Sequence, residues 1–310
     1  MSTSLINGYH LPVMLDEVIQ GLAITPTGYY VDSTFGGGGH ARGIMASLVT
    51  GHLFAFDRDR AAAQIARSYT NTTCTFIRAP FSFIKEFLSF YGITILDGLV
   101  ADLGTSAHQI DTPARGFATR WDGNLDMRMD QTSPHTAQHI VQHYTEAQLT
   151  QLLRLYGEVD RPAAIADAIV KARKKTAMLT TYQLRTVVEP FAPRWRVDQY
   201  FAKVFQAFRI EVNNELVELE CLLKQCVDLI KPGGRIAFIA YHSLEDRLIK
   251  NFLYTGNCSG NVEKDAYGNL LRPFVPLQRK PITPSQEEIN RNRRARSARL
   301  RIGVRIPQNP

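Results

Sequence analysis

The fold is decided by Tyr29-Tyr30-Val31-Asp32-Ser33-Thr34-Phe35-Gly36-Gly37-Gly38-Gly39-His40. Tyr29 to Val31 is a short run of residues that favour β-strands. Glycine has no Cβ atom, so the turn that follows can adopt positive φ and let a ligand approach the backbone. The apolar spacing after His40 predicts a helix, whose free N–H groups would face that ligand. A strand, a glycine turn and a helix in this order are typical of nucleotide sites in α/β proteins.

Strand and helix patterns alternate downstream of this turn. Strands are predicted at 51–57, 73–77 and 95–102, and helices at 60–69 and 81–90. Two further strands are predicted near the C-terminus, at 235–241 and 298–306. This rhythm indicates a parallel sheet with helices on both faces, a Rossmann-like α/β fold.

The alternation stops between Thr105 and Tyr200, where only helical patterns occur. We therefore expect residues 1–104 and 201–310 to form the Rossmann-like domain, and residues 105–200 to form an inserted all-helical domain for substrate recognition. A long helix, predicted over 200–229, returns the chain to the sheet and stops at Lys231-Pro232-Gly233-Gly234.

Composition narrows the class of protein. The chain has 310 residues, 45% of them hydrophobic, and no run of 18 apolar residues, so no membrane span is predicted. The N-terminal stretch does not resemble a signal peptide, and we expect a soluble, cytoplasmic protein. Four cysteines occur without a C-x-x-C pair, so neither a metal centre nor a disulfide framework is expected.

Positive charge is concentrated at the C-terminal end. Ten Arg or Lys residues lie between 271 and 310, opposed only by Glu287 and Glu288, while the whole chain carries a net charge of +7. The last predicted strand carries a basic face. A block of this kind favours a polyanionic partner such as nucleic acid over a basic tail without a specific role.

The glycine turn matches two classes of cofactor. Gly36 to Ala41 reads G-x-G-x-x-A, and Asp57 follows at the end of the second strand, where a carboxylate can accept the hydroxyls of an adenosine ribose. NAD and S-adenosylmethionine both present those hydroxyls. Asp102, at the end of the fourth strand, precedes a polar loop where a methyl acceptor could sit, and no hydride-transfer constellation is evident.

Strings spread over nearly the whole chain resemble one family, the bacterial 16S ribosomal RNA cytosine-N4 methyltransferases of the MraW or RsmH type. The most specific are Leu-Asp-Met-Arg-Met-Asp and His-Ser-Leu-Glu-Asp-Arg. The strings occur in the family's order, at 10–18, 32–40, 55–59, 80–82, 102–106, 115–117, 125–130, 205–216, 242–247 and 294–298.

The resemblance implies S-adenosylmethionine as cofactor and, as substrate, a cytidine in the decoding region of 16S rRNA within the small ribosomal subunit. The glycine turn would contact the cofactor, the second strand its ribose, and later segments its adenine and methionine ends. Carried over by position, these contacts are Gly38, Gly39 and His40 in the turn, Asp57 at the ribose, Phe81 at the adenine, and Asp102 and Gln109 at the methionine end.

Asp102 is also the candidate catalytic residue, with the Thr105 and Ser106 hydroxyls beside it. The N4 amine is a poor nucleophile, so it needs acceptors that orient it. The Asp/Asn-Pro-Pro-aromatic loop of many amino-methyltransferases is absent from the sequence. Asp102 could instead be a cofactor ligand only. The family more often has Val, Ser and Pro where this chain has Thr105, Ala107 and His108.

Two other functions stay open at this point. One is a DNA cytosine-N4 methyltransferase, which the missing Pro-Pro loop disfavours. The other is an RNA-binding ribosome assembly factor that binds the cofactor without turnover. Basic residues of the insertion also suit phosphate contacts, although they could equally form a solvated surface. They are Arg115, Arg120, Arg128, Lys174, Lys175, Arg194 and Arg196.

Overall fold

The computed structural model of the chain describes residues 12–69 and 73–307. His10 and Leu11, which begin the first family string, lie outside the described residues.

A seven-stranded sheet forms the centre of the fold. Its strands are β1 (Tyr29–Asp32), β2 (His52–Phe56), β3 (Cys74–Ile77), β4 (Leu96–Asp102), β5 (Ile230–Ala240), β6 (Phe274–Pro276) and β7 (Arg299–Arg305). They are arranged in the order β3-β2-β1-β4-β5-β7-β6. β1 to β5 pair in parallel, whereas β7 is antiparallel to both β5 and β6. The predicted Rossmann-like α/β fold is confirmed.

Thirteen α-helices are found in the described part of the chain. They are α1 (Leu15–Leu22), α2 (Gly39–Met45), α3 (Arg60–Ala66), α4 (Ile84–Phe90), α5 (Ala107–Asp111), α6 (Ala137–His143), α7 (Glu146–Leu155), α8 (Pro162–Lys175), α9 (Thr181–Val188), α10 (Val197–Asn213), α11 (Glu215–Leu229), α12 (Ser243–Thr255) and α13 (Gln286–Arg291). Within 12–69 and 73–307, none of them is long and apolar enough to cross a membrane.

Both faces of the sheet are buried. Along β4, Leu99 packs in one apolar core and Val100 in the other, because neighbouring strand residues point to opposite faces. The first core includes Phe56, Phe238 and Phe252, and the second includes Tyr30, Leu53 and Ile302. Burial on both faces explains the nearly continuous apolar runs of these strands in the sequence.

The chain divides into two compact units, Met1–Gly104 with Leu216–Pro310, and Thr105–Glu215. We call them the sheet unit and the helical unit. The sequence-based division placed the second boundary at 200/201, some residues too early. This difference arises because the sequence pattern predicted a single helix over 200–229, and that prediction is wrong. Asn214 has a φ of 51° and separates α10 from α11. α10 then contributes Phe201, Val204 and Phe208 to the core of the helical unit.

Two of the three arginines on the basic face of β7, Arg301 and Arg305, are buried. The charge pattern in the sequence had suggested that this face is open to a polyanionic partner. Arg301 donates to Asp246 from Nε (2.6 Å) and Nη2 (3.1 Å). Arg305 donates to the carbonyl of Pro273 (2.9 Å) and lies over the ring of Phe274. These arginines therefore anchor β7 in the sheet, and the surface available to a polyanion is smaller than the sequence indicated.

Candidate active site

Three neighbouring parallel strands end in aspartates at one edge of the sheet. Asp32 ends β1, Asp102 ends β4, and Asp57 directly follows β2. β1 lies between β2 and β4, so their carboxyl ends are adjacent. The strand order reverses at β1 and β4, and α/β proteins bind ligands at such a switch point.

The glycine turn crosses this edge in a conformation that needs glycine. Gly36 and Gly38 have φ values of 52° and 73°. A Cβ atom on Gly38 would lie 2.4 Å from the Tyr69 hydroxyl oxygen and 2.8 Å from the Phe35 ring. Gly38 is also the residue that caps the N-terminus of α2, so the N–H groups of that helix start at the turn.

Asp57 is held rigidly beside the turn. Its Oδ2 accepts the N–H of Gly36 and its Oδ1 accepts the N–H of Asp59, both at 2.8 Å. Each carboxylate oxygen can accept a second hydrogen bond, so the group remains a fixed acceptor for hydroxyls. Burial raises the pKa of Asp57 to about 6, although the two backbone hydrogen bonds oppose that rise.

His40 is buried in the first turn of α2, with 5% of its surface exposed. Its Nε2 lies 3.0 Å from the carbonyl oxygen of Val13. A carbonyl only accepts, so Nε2 carries the hydrogen and Nδ1 of the neutral ring is an acceptor. Burial lowers the pKa of His40, which favours that neutral form. Nδ1 lies 3.8 Å from Oδ2 of Asp102, so two acceptors face the same space.

Asp102 is partly buried, with 23% of its side chain exposed. The hydroxyl of Tyr241 donates to Oδ1 of Asp102 at 2.7 Å. The backbone N–H of Asp102 donates to Thr34 Oγ1 at 2.7 Å. Burial raises the pKa of Asp102 to about 7; the hydrogen bond from Tyr241 opposes this rise and the charge of Glu245 adds to it. A carboxylate in this state can hold or release a proton near neutral pH.

Asp32 was not singled out from the sequence. It is 1% exposed, its Oδ1 accepts the N–H of Thr34 (3.1 Å), and its Oδ2 has no hydrogen-bond partner among the described residues. Burial raises its pKa to about 6. Its signal in the sequence was its position, because it ends β1 as Asp57 and Asp102 end their own strands.

Tyr241 was also missed. It directly follows β5, the neighbour of β4 in the sheet, and this pairing brings its hydroxyl to Asp102. Its backbone N–H donates to Glu245 Oε2 at 2.9 Å, which fixes the start of α12 beside it. The sequence signal was its place immediately before the string His242 to Arg247.

Two predicted site residues, Phe81 and Gln109, belong to other segments of the chain. Phe81 follows β3 in the 3-10 turn Phe81–Phe83 and packs, partly buried, against the first core. Gln109 belongs to the helical unit and is 4% exposed. Its Oε1 accepts the N–H of Ser106 (3.0 Å), and Ser106 Oγ accepts the N–H of Gln109 (3.2 Å). This capping box of α5 accounts for the Ser106 hydroxyl that the sequence had suggested beside Asp102.

The electrostatics of the edge distinguish the two classes of cofactor. The three carboxylates have raised pKa values and disfavour a pyrophosphate, because like charges repel strongly in a poorly solvated site. The same carboxylates, with the acceptor Nδ1 of His40, stabilise a ligand that carries ammonium and sulfonium charges.

Comparisons with known proteins give one consistent family. Residues 7–306 match the family model described as the MraW methylase family. The chain is 53% identical over 297 residues to the ribosomal RNA small subunit methyltransferase H of Amoebophilus asiaticus, covering 96% of each chain. It is 49% identical to the protein of that name from Cytophaga hutchinsonii, covering 96% of this chain and 99% of the relative. The corresponding protein of Phocaeicola vulgatus is 44% identical, with 95% and 96% covered.

Proposed function

The chain belongs to the MraW methylase family, and from that premise we propose that it methylates the N4 amine of a specific cytidine in the decoding region of 16S rRNA. Its relatives are named for the small-subunit ribosomal RNA, which supports this substrate. S-adenosylmethionine as the predicted cofactor is confirmed by the family. The observation that carries the proposal is the group of Asp32, Asp57 and Asp102 around the glycine turn.

The cofactor would be held by residues of the sheet unit. Asp57 would accept the ribose hydroxyls, and Phe81 would lie against the adenine. Asp102 and His40, whose oxygen and nitrogen acceptors lie 3.8 Å apart, would receive the ammonium of the methionine end. Asp32 would add negative charge behind the turn. When bound, S-adenosylmethionine supplies a methyl group made electrophilic by its sulfonium.

The acceptor amine also needs a positioned partner. The lone pair of the cytosine N4 amine is delocalised into the ring, so an acceptor that orients its N–H groups assists attack. Asp102 fits this role, because it is partly exposed and fixed by the hydroxyl of Tyr241. Asp102 is also a candidate acceptor for the proton that the amine releases.

The base must leave its stack to reach the site. Extruding a nucleotide costs roughly a few kcal/mol, and less where the base is already unstacked in folded RNA. We propose that the helical unit, as the inserted recognition domain, and the exposed part of the basic C-terminal segment bind the surrounding RNA. A small-ribosomal-subunit substrate also agrees with a cytoplasmic location.

The direct test uses purified protein, methyl-labelled S-adenosylmethionine and small ribosomal subunits from a strain that lacks the enzyme. We expect label in the RNA, recovered as N4-methylcytidine after digestion to nucleosides and mass spectrometry. Asp57→Asn is the matched negative variant, because it retains the shape of the side chain and removes its charge. Label at a different nucleoside position would refute the N4 assignment but not the methyltransferase activity.

Two other outcomes correspond to the rival functions. An assembly factor would bind the cofactor and the subunit and leave the RNA unlabelled. A DNA cytosine-N4 methyltransferase would label a DNA duplex in direct competition with the ribosomal subunits.

A further inference from the structure

Both tryptophans of the chain are exposed on the helical unit. Trp195 is 82% exposed and Trp121 is 51% exposed, and Tyr182 on α9 is 64% exposed. Tryptophan is usually well buried in a folded protein, so two exposed tryptophans in one unit are an informative exception. We call Trp121, Tyr182 and Trp195 the aromatic surface.

Contacts around the guanidinium of Arg185 bring the three segments of the aromatic surface together. Arg185 Nη1 donates to the carbonyl of Thr119 (3.2 Å), two residues before Trp121. Its Nη2 lies 3.9 Å from Asp198, three residues after Trp195. Arg185 itself is three residues after Tyr182, on the same side of α9.

Besides the contact from Arg185, two further hydrogen bonds join the loop that carries Trp121 to α9. The N–H of Tyr182 donates to Asp122 Oδ1 (3.1 Å), and Thr181 Oγ1 donates to the carbonyl of Trp121 (3.0 Å). Exposed aromatic side chains on segments fixed in this way lose little conformational freedom when a planar ligand stacks on them.

Arginines flank these aromatic residues. Arg194 and Arg196 are exposed on either side of Trp195, and in the described parts of the chain neither side chain forms an ion pair. The guanidinium of Arg120 lies 5.5 Å from the centroid of the Trp121 ring. The nearby acids are already engaged, since Asp111 pairs with Arg120 and Asp122 accepts a backbone N–H.

Other arginines of the insertion have structural roles instead. Arg115 is 5% exposed and donates to the carbonyls of Arg128 and Met129. Arg128 pairs with Asp126 and donates to the carbonyl of Ser133. These two arginines are therefore engaged within the protein, whereas Arg194 and Arg196, which the sequence also offered for phosphate contacts, are exposed.

We infer that the aromatic surface stacks unpaired bases of the substrate RNA while Arg194 and Arg196 contact its phosphates. Exposed aromatic rings interleaved with arginines are how proteins hold single-stranded nucleic acid. A duplex offers no free base faces, so we expect a preference for single-stranded RNA. This inference rests on the proposed function for the identity of the RNA, but its binding step is separate from methyl transfer.

The two tryptophans make the test direct. In the Trp121→Phe variant, Trp195 is the sole indole fluorophore. Titration with a single-stranded oligoribonucleotide that carries the target cytidine and its neighbours should quench its emission in a saturable way. The duplex of the same sequence should quench far less.

Trp195→Ala should weaken binding of that oligoribonucleotide, and raise KM for RNA, by about tenfold, the loss of one stacked base. Its affinity for S-adenosylmethionine, measured by calorimetry, should stay within twofold. Phe90→Ala is the matched control, because Phe90 is 83% exposed but belongs to the sheet unit. It should change neither quantity.

Unchanged RNA affinity in Trp195→Ala, or equal quenching by duplex RNA, would overturn the inference. Quenching by small-subunit proteins but not by RNA would replace it with a protein contact. If the protein transferred no methyl group at all, the proposed function would fail while the fluorescence titration still decided this inference.

Discussion

Nδ1 of His40 lies 3.8 Å from Oδ2 of Asp102, and neither atom has a hydrogen to give the other in the neutral-ring, ionised-acid form. The pair therefore needs a donor from outside, or a proton on Asp102. A cationic ligand satisfies the first condition and proton uptake by the ligand-free site satisfies the second. We therefore expect the ligand-free site to hold a proton and to release it when the cationic cofactor binds.

Affinity for S-adenosylmethionine should rise with pH between 5.5 and 7. The pKa values of Asp32 and Asp57 are raised to about 6, and that of Asp102 to about 7, so the ligand-free site holds protons that a cationic ligand must displace. The dissociation constant should fall by about tenfold per pH unit below the pKa of each group that must ionise. Calorimetry in buffers of different ionisation enthalpy should detect proton release.

Asp102→Asn should bind S-adenosylmethionine more weakly, with a flatter pH profile of affinity between pH 6 and 7. A profile as steep as that of the unmodified protein would contradict the assignment of Asp102.

Tyr241→Phe should shift the acidic limb of the pH–rate profile of methyl transfer upward by about one to two pH units. The hydroxyl donates to Asp102 at 2.7 Å and stabilises its ionised form, and a hydrogen bond to a charged group is worth about 1.5–3 kcal/mol. Without this hydrogen bond the pKa of Asp102 rises further, so the rate falls at pH 7 and recovers at higher pH.

Tyr254→Phe is the matched control, since the hydroxyl of Tyr254 donates at 2.7 Å to the carbonyl of Arg279 elsewhere in the unit. A uniform loss of rate at every pH would indicate a structural role for Tyr241.

Gly38→Ala should both destabilise the protein and abolish cofactor binding. Gly38 has a φ of 73°, and a new Cβ atom would lie 2.4 Å from the Tyr69 hydroxyl oxygen. Gly92→Ala provides a close control, because Gly92 has the same φ of 73° but nothing within 4 Å of the added Cβ. The backbone strain alone should cost about 1–2 kcal/mol in both variants, and the clash about 1–3 kcal/mol more in Gly38→Ala. Urea unfolding measures both costs, and equal costs in the two variants would show that Tyr69 moves away freely.

The sequence predicted those parts of the site that are local in the chain. The glycine turn, Asp57 after β2 and Asp102 at the end of β4 mark strands whose ends can be recognised from apolar runs and glycines. The hydrogen bond from Tyr241 to Asp102 joins residues 139 positions apart, and only the pairing of β4 with β5 reveals it.

Two errors have a similar origin. The residues on either side of Asn214 both have helical patterns, so the sequence did not reveal the break between α10 and α11. α10 packs in the core of the helical unit, whereas α11 packs in the first core of the sheet unit. The alternation in β7 showed that arginines share a face, but not that Asp246 of α12 covers it. Periodicity identifies which residues share a face and leaves open what covers that face.

Neutralising the exposed arginines of the C-terminal segment should weaken RNA binding and reduce its dependence on salt. Arg293 and Arg296 are exposed in the 3-10 turn Arg293–Ser297, whereas Arg301 is paired with Asp246 in the sheet. Each phosphate contact to single-stranded RNA contributes about 0.7 to the slope of log K against log salt concentration. The double variant Arg293→Gln/Arg296→Gln should therefore lower that slope by about 1.4, measured by fluorescence titration at several salt concentrations. The control Arg67→Gln/Lys250→Gln removes the same charge from two exposed positions, directly after α3 and in α12, and should leave the slope nearly unchanged. An equal change in both variants would mean that RNA responds to the net charge of the protein, and the C-terminal segment would then lose its assignment as an RNA contact.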